Sequence, residues 1–180
     1  MQSEKDLLWS GRVTCLPRGA CVSIVPLEMA ESNTSVLAVA SGGGHWVQLL
    51  RLMPAFERCS ITFVSVDRAY AEDVPGRRFF AVPDATRWNP LRVLATAFCL
   101  LVIFVRERPD VVVSTGAAPG FLAVRIAKLF RKRTVWIDSI ANVERLSASG
   151  EKAGPVSDLW LTQWPHLALK GGPSYQGSVM

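Results

Sequence analysis

The residues best equipped for chemistry lie in three short stretches. The first is Ser41-Gly42-Gly43-Gly44-His45. Glycines let backbone amides approach an oxyanion closely, and a helix that starts there favours negative charge. The chemistry that fits is the holding of a phosphate or diphosphate. His45 stands at the helix start, and imidazole titrates near neutrality. It suits a general base or a diphosphate ligand, against the alternative of a capping or solvent-facing ring. The second stretch is Ser114-Thr115-Gly116-Ala117-Ala118-Pro119-Gly120. It is either another phosphate-friendly turn or a place where helix and sheet pack closely. The third is Asp138-Ser139, where an acid holds a sugar hydroxyl, takes a proton, or caps the next helix. His166 follows Pro165 and reads as structural.

Other chemistries fit less well. A dinucleotide fingerprint needs a third glycine where Val47 stands, and no Walker lysine follows the glycines. Asp67 would suit a ribose hydroxyl and keeps a nucleotide-binding reading open. The four cysteines, Cys15, Cys21, Cys59 and Cys99, form no CxxC and have no histidine at metal-ligand spacing. No metal and no cofactor is expected. A reducing compartment follows from the same pattern, and Cys99, inside an apolar run, reads as a small buried hydrophobe.

The elements that must position these stretches alternate between strand and helix. Strands are expected at residues 36–41, 61–66, 79–82, 110–114, 134–138 and 158–162, from short β-branched and apolar runs. Helices are expected at 45–57, with Pro54 kinking or ending it early, and at 90–107, opened by Pro90 and stopped by Pro109. A further helix should run from the turn at 116–120 to Phe130, and a short one over 140–146. Residues 83–90 form a loop, and a last strand is expected at 177–180. Buried strands alternating with helices give an α/β fold with a parallel, Rossmann-like sheet covered on both faces. Ligands of such sheets sit at the carboxyl ends of the strands, where all three chemical stretches fall.

The run 93–105 is apolar on every helical face and is flanked by Arg92 and Arg106. A helix on an α/β sheet should carry a polar stripe. Either the fold buries this helix, or a partner covers it, or its outer side dips into a membrane interface. On that last reading Arg92, Leu100, Leu101, Phe104 and Arg106 make the contact. The run is too short to span a bilayer, which needs about 20 residues.

The chain has 180 residues, 49% of them hydrophobic and 19% charged. That suits one compact domain, or one domain with a tail, and excludes disorder. A complete two-domain enzyme needs roughly twice this length. The net charge of +5 is too small to indicate nucleic acid, since no basic stripe interleaves with aromatics. The dense cluster Lys128, Arg131, Lys132, Arg133 suits a helix C-terminus or anionic head groups. Residues 1–34 read as a tail without a secretory signal, with Met29 an alternative start. The domain is then 35–180.

Taken in order, these stretches resemble the asparagine-linked glycosylation 14 family and its bacterial relatives, the exopolysaccharide glycosyltransferase subunits. The matching residues are Ala40-Ser41-Gly42-Gly43-Gly44-His45, Arg108-Pro109-Asp110 with Ser114-Thr115-Gly116, and Ile137-Asp138-Ser139. Leu146-Ser147 and the run from Asp158 to Gln163-Trp164-Pro165 complete the set. The first loop is also similar to that of the lipid-intermediate N-acetylglucosaminyltransferase of peptidoglycan synthesis. The resemblance implies the acceptor-side domain of a GT-B glycosyltransferase. A separate subunit would bind a UDP-sugar donor, such as UDP-N-acetylglucosamine, or a uronic-acid donor. The acceptor would be a polyprenyl-diphosphate-linked saccharide in polysaccharide or oligosaccharide biosynthesis. The chain would sit peripherally on the cytoplasmic face of the plasma membrane and be inactive alone. Ser41, Gly42, Gly43, Gly44, Thr115, Gly116, Gly120 and Ser139 would bind the acceptor or its diphosphate. His45, then Asp138, would be the base, and the C-terminal tail would meet the partner. Eukaryotic members have Glu-Ser where Asp138-Ser139 stands, and an N-terminal membrane anchor that residues 1–34 do not match. Two other readings remain: a non-catalytic membrane-recruiting scaffold, and a self-sufficient nucleotide-binding Rossmann enzyme that requires Asp67.

Overall fold

The structure is a computed structural model that describes residues 34–85 and 89–179. The expectations for the N-terminal tail, Met29, Cys15 and Cys21 lie outside these residues. So do residues 86–88 of the expected loop and the final residue.

Among the described residues, seven parallel strands form one sheet in the order β3-β2-β1-β4-β5-β6-β7. They are β1 Ser35–Val39, β2 Ser60–Ser65, β3 Arg78–Ala81, β4 Val111–Ser114, β5 Arg133–Ile137, β6 Leu159–Thr162 and β7 Ser174–Tyr175. The helices are α1 Gly44–Arg51, α2 Pro90–Glu107, α3 Ala117–Leu129 and α4 Ala148–Ala153. The winding reverses between β1 and β4, which pair directly, Val36 with Val111 through Val39 with Ser114. The connections leaving those two strands therefore part and open a crevice at their carboxyl ends.

Each face of the sheet has its own core. On one side Trp46, Leu49 and Leu52 pack against Val36, Ala38, Ile61, Phe63, Val111 and Val113. On the other, Leu100, Ile103 and Phe104 of α2 and Ala123, Ile126 and Ala127 of α3 pack against Leu37, Val39, Val64 and Val112. The alternation along β1 and β4 is the period-two pattern of a strand with both faces covered.

Several expected boundaries move. The first helix ends at Arg51, and the chain tightens into a 3-10 turn at Met53–Phe56, because Pro54 supplies no N–H to continue the ladder. The turn at 116–120 shrinks to Gly116, since α3 begins at Ala117. The last strand is Ser174–Tyr175 instead of 177–180.

No helix forms over 140–146. The carbonyl of Ile140 accepts from the Trp164 indole at 2.8 Å, and the carbonyl of Val143 accepts from His166 Nε2 at 2.6 Å. The Ser147 amide donates to the Asp138 carboxylate at 2.8 Å. Groups that a helix would pair along its ladder are thus bonded elsewhere. The helix instead starts one step later, at α4, with Ser147 as its N-cap.

The helix expected from the apolar run is α2, but it is not apolar on both sides for one reason. Thr96, Leu100, Ile103 and Phe104 face the sheet and α3, with Leu100 1% and Phe104 4% exposed. Neither can touch a membrane, which corrects that part of the expected contact. Leu91, Leu94, Phe98, Leu101, Val102 and Val105 are exposed, and so are Arg92 and Arg106. The outward stripe therefore passes through Phe98 and Val102. No helix among the described residues is long and apolar enough to cross a membrane.

Two carboxylates fasten strand starts at the opposite end of the sheet. Asp110 accepts from the Ser35 amide at 3.2 Å and from Lys132 at 3.1 Å, tying β4 to β1. Asp158 accepts from Lys128 at 2.7 Å and from the Thr134 amide and hydroxyl at 2.8 and 3.0 Å. Half of the basic cluster is thus engaged within the fold. Burial raises the Asp158 pKa, but Lys128 and the two Thr134 donors together outweigh it and hold the carboxyl below its ordinary value. A depressed folded pKa gives stability that is complete above the unfolded value, about 3.9, and is lost as pH falls through the folded one. Urea unfolding at stepped pH should show the stability gap between wild type and Asp158→Asn narrowing as pH drops below about 4. A gap independent of pH would show that this carboxylate is not held as described.

Candidate functional site

The crevice at the β1–β4 switch point is built from two loops that interlock. After β1 the chain turns through Gly42 and Gly43, the latter at φ 64°, a left-handed conformation that only glycine takes readily. Gly43 is the N-cap of α1 and makes no side-chain cap bond. The first helical bond runs from the Val47 amide to the Gly43 carbonyl. The amides of Gly44, His45 and Trp46 therefore have no acceptor within the helix. They are donors available to an anion, supported by the positive end of the helix dipole.

The Gly43 amide is not among them. It donates to the Tyr70 hydroxyl at 2.8 Å. Tyr70 lies in a 3-10 turn, Arg68–Asp73, whose N-cap Asp67 accepts from the Ala69 amide at 3.0 Å. Its ring stacks on Trp46, with centroids 5.1 Å apart, and the Trp46 indole donates to Asp73 at 2.8 Å. A Cβ on Gly42 would lie 2.9 Å from the Tyr70 hydroxyl. Tyr70 was not legible as a site residue, because nothing in its local sequence ties it to a glycine loop 27 positions earlier. Asp67, the residue suited to a ribose, serves as a cap in this structure.

His45 meets the second loop. Its Nδ1 lies 2.9 Å from the Thr115 carbonyl, and the Thr115 hydroxyl donates to the His45 carbonyl at 2.7 Å. Gly116, at φ 139°, leaves the room the imidazole needs: a Cβ there would lie 2.5 Å from both Cε1 and Nδ1. Thr115 is fully buried, so its side chain works inside the joint rather than lining the crevice.

Gly120 is a packing residue. A Cβ on it would come to 1.8 Å from Ser114 Oγ, so its absence lets α3 close on β4. Of the two alternatives for this stretch, close helix–sheet packing describes Gly120.

Asp138 also departs from expectation. Its side chain is buried and its carboxylate is saturated. Oδ1 accepts from the Ser139 amide at 3.1 Å, Asn142 Nδ2 at 3.3 Å and Ser147 Oγ at 2.6 Å, and Oδ2 accepts from the Ser147 amide. A Cβ on Gly150 would lie 2.9 Å from Ser147 Oγ and 3.0 Å from the Asp138 carboxylate. A carboxylate with this many donors and 1% exposure is an anchor for the 139–147 loop and not a base open to a ligand.

Ser139 Oγ accepts from the Ala141 amide at 3.3 Å and from Gln48 Nε2 at 3.4 Å, joining this loop to α1. Gln48 is buried, and its Oε1 has no partner among the described residues.

The Gln-Trp-Pro stretch holds the same loop from the other side. Gln163 Nε2 donates to the Asp138 carbonyl at 2.9 Å, beside the Trp164 and His166 bonds given above. Gln163 Oε1 accepts from the Val179 amide at 2.9 Å, and Arg51 donates to the Val179 carbonyl at 3.2 Å. Val179 is thus fastened between α1 and the residue that follows β6. Among the described residues no group of His, Cys, Asp or Glu is placed to hold a metal ion.

A parallel sheet wound in this order, with its glycine-histidine loop at the switch point, is a Rossmann-like domain. The chain belongs to the family described as oligosaccharide biosynthesis protein Alg14 like, whose model matches residues 77–179. The UDP-N-acetylglucosamine transferase subunit ALG14 of Homo sapiens is 26% identical, over 83% of this chain and 85% of that one. Its counterpart in Schizosaccharomyces pombe is 30% identical, over 75% and 78%. Among solved structures, MurG of Acinetobacter baumannii superposes with a TM-score of 0.67 at 14% identity. That match takes in 81% of this chain and 46% of MurG, so the chain spans under half of that protein. UDP-GlcNAc 2-epimerase from Neisseria meningitidis superposes with a TM-score of 0.57 at 11% identity, over 72% and 40%.

The Asp138 geometry yields a direct test. Asp138→Ala should cost about 2–4 kcal/mol of stability, because four donors lose a buried charged acceptor. Urea unfolding of the purified chain checks this. Unchanged stability would contradict the anchoring role.

Proposed function

We propose that the chain is the acceptor-side subunit of a two-part glycosyltransferase that uses UDP-N-acetylglucosamine. The domain spans residues 35–180, and a separate subunit binds the donor. The observation that carries this reading is the joint at the switch point. It combines free helix-start amides with an imidazole held beside them, in a family whose relatives are named transferase subunits.

The acceptor is a polyprenyl-diphosphate-linked saccharide. The amides of Gly44 and His45 hold its diphosphate, with Ser41, Gly42, Gly43 and the Tyr70 hydroxyl shaping the loop. Transfer inverts the donor carbon. As the acceptor hydroxyl attacks, its proton passes to the imidazole of His45, and UDP leaves on the partner's side. Thr115, Gly116 and Ser139 keep the two loops in register, and Asp138 acts on the 139–147 loop alone. The residues near Val179 meet the partner. The subunit works at the cytoplasmic face of the plasma membrane. There the outward stripe of α2, Leu94, Phe98, Leu101 and Val102, enters the interface with Arg92 and Arg106 at head-group level.

Three outcomes are expected. With a reconstituted pair, His45→Ala should lower kcat by about 100-fold or more while the chain keeps its fold. Turnover equal to wild type would remove His45 from the chemistry. In vesicle flotation with anionic lipid, Phe98→Asp should weaken binding roughly tenfold, the scale of withdrawing one large apolar side chain from the interface. Leu100→Ala should instead lower stability by about 2–5 kcal/mol, the cost of a cavity in the core. Equal flotation of Phe98→Asp and wild type would count against the membrane face.

A further inference from the structure

We infer that Thr115 and Gly116 are positioning residues that fix His45 in a single tautomer, with the proton on Nδ1 and the basic lone pair on Nε2. The inference rests on the proposed reaction only for its catalytic meaning; the tautomer itself follows from geometry. A backbone carbonyl oxygen has no proton to give. At 2.9 Å from the Thr115 carbonyl, Nδ1 must be the donor. Neutral imidazole carries one N–H, so Nε2 is left as the acceptor. The hydrogen bond made by one ring nitrogen thereby sets the chemistry of the other.

Three features keep that bond in place. The Thr115 hydroxyl donates back to the His45 carbonyl at 2.7 Å, so the two residues clasp each other. Gly116 holds φ 139° with no side chain, and the imidazole lies within 2.5 Å of where a Cβ would stand. Any other residue at 116 would displace the ring. Ala117 follows at φ 64°, a conformation alanine rarely adopts, so the backbone turns sharply just where the carbonyl must point at His45.

The chain contains only two histidines, and the second supplies an internal control. His166 Nε2 lies 2.6 Å from the Val143 carbonyl, so the same argument places its proton on Nε2. The two rings are opposite tautomers. Nitrogen-15 spectra of the histidine-labelled full chain, at a pH where both rings are neutral, test this directly. His45 is assigned by its disappearance in His45→Gln. The expected result is Nδ1–H for His45 and Nε2–H for His166. Free histidine favours Nε2–H, so finding that form at His45 would overturn the inference without any variant.

Thr115→Val removes the returning hydroxyl in nearly the same volume. It should give His45 a mixture of tautomers and lower kcat of the reconstituted pair about tenfold, with KM for the UDP-sugar unchanged. Thr115→Ser should restore both. A wild-type tautomer and kcat in Thr115→Val would overturn the positioning role. Full turnover by His45→Ala, with the Nδ1–H form still seen in wild type, would sink the proposed reaction and leave the tautomer assignment standing.

Discussion

The joint between His45 and Thr115 is the constraint on which the site depends. It lies where β1 and β4 are neighbours but their connections leave to opposite faces of the sheet. A crevice there is unavoidable for this strand order. What this sequence adds is a pair of reciprocal hydrogen bonds, 2.9 and 2.7 Å, across the mouth of the crevice. They fix the start of α1 relative to the end of β4. The helix amides, the imidazole and the glycine loop then share one frame.

The rest of the domain serves that frame from both flanks. On the β2 side, Tyr70 is stacked on a buried tryptophan and reaches back to the Gly43 amide. On the β5 side, the buried Asp138 carboxylate gathers the 139–147 loop, while Gln163, Trp164 and His166 take its carbonyls one after another. At the opposite end of the sheet, Asp110 and Asp158 set the strand starts. The carboxyl end of the sheet is thus held by side-chain contacts from both flanks.

The strand-helix order was legible because each buried strand is a short β-branched run and each helix is punctuated by proline or glycine. The three small-residue loops were legible too, and they fall at the carboxyl ends of strands as expected. The roles within those loops were not. Asp138 and His45 look alike as chemical candidates, and only long-range partners separate them. Ser147 and Asn142 saturate one, while the other keeps a ring nitrogen without a protein partner among the described residues. Gly116 and Gly120 also look alike, yet one accommodates an imidazole and the other a serine hydroxyl on β4. Apolar composition could not say which side of α2 faces inward. That depends on the register of the helix over the sheet, which buries Leu100 and Phe104 and exposes Leu94 and Phe98.

The central claim is that this chain carries the acceptor side of the reaction and leaves the donor to a partner. Calorimetric titration with UDP-N-acetylglucosamine measures this most directly, first on the chain alone and then on the chain with its donor-binding partner. The account predicts no binding by the chain alone and clear binding by the pair. Tight binding by the isolated chain would contradict it, and would make the glycine loop of β1 a nucleotide site in its own right.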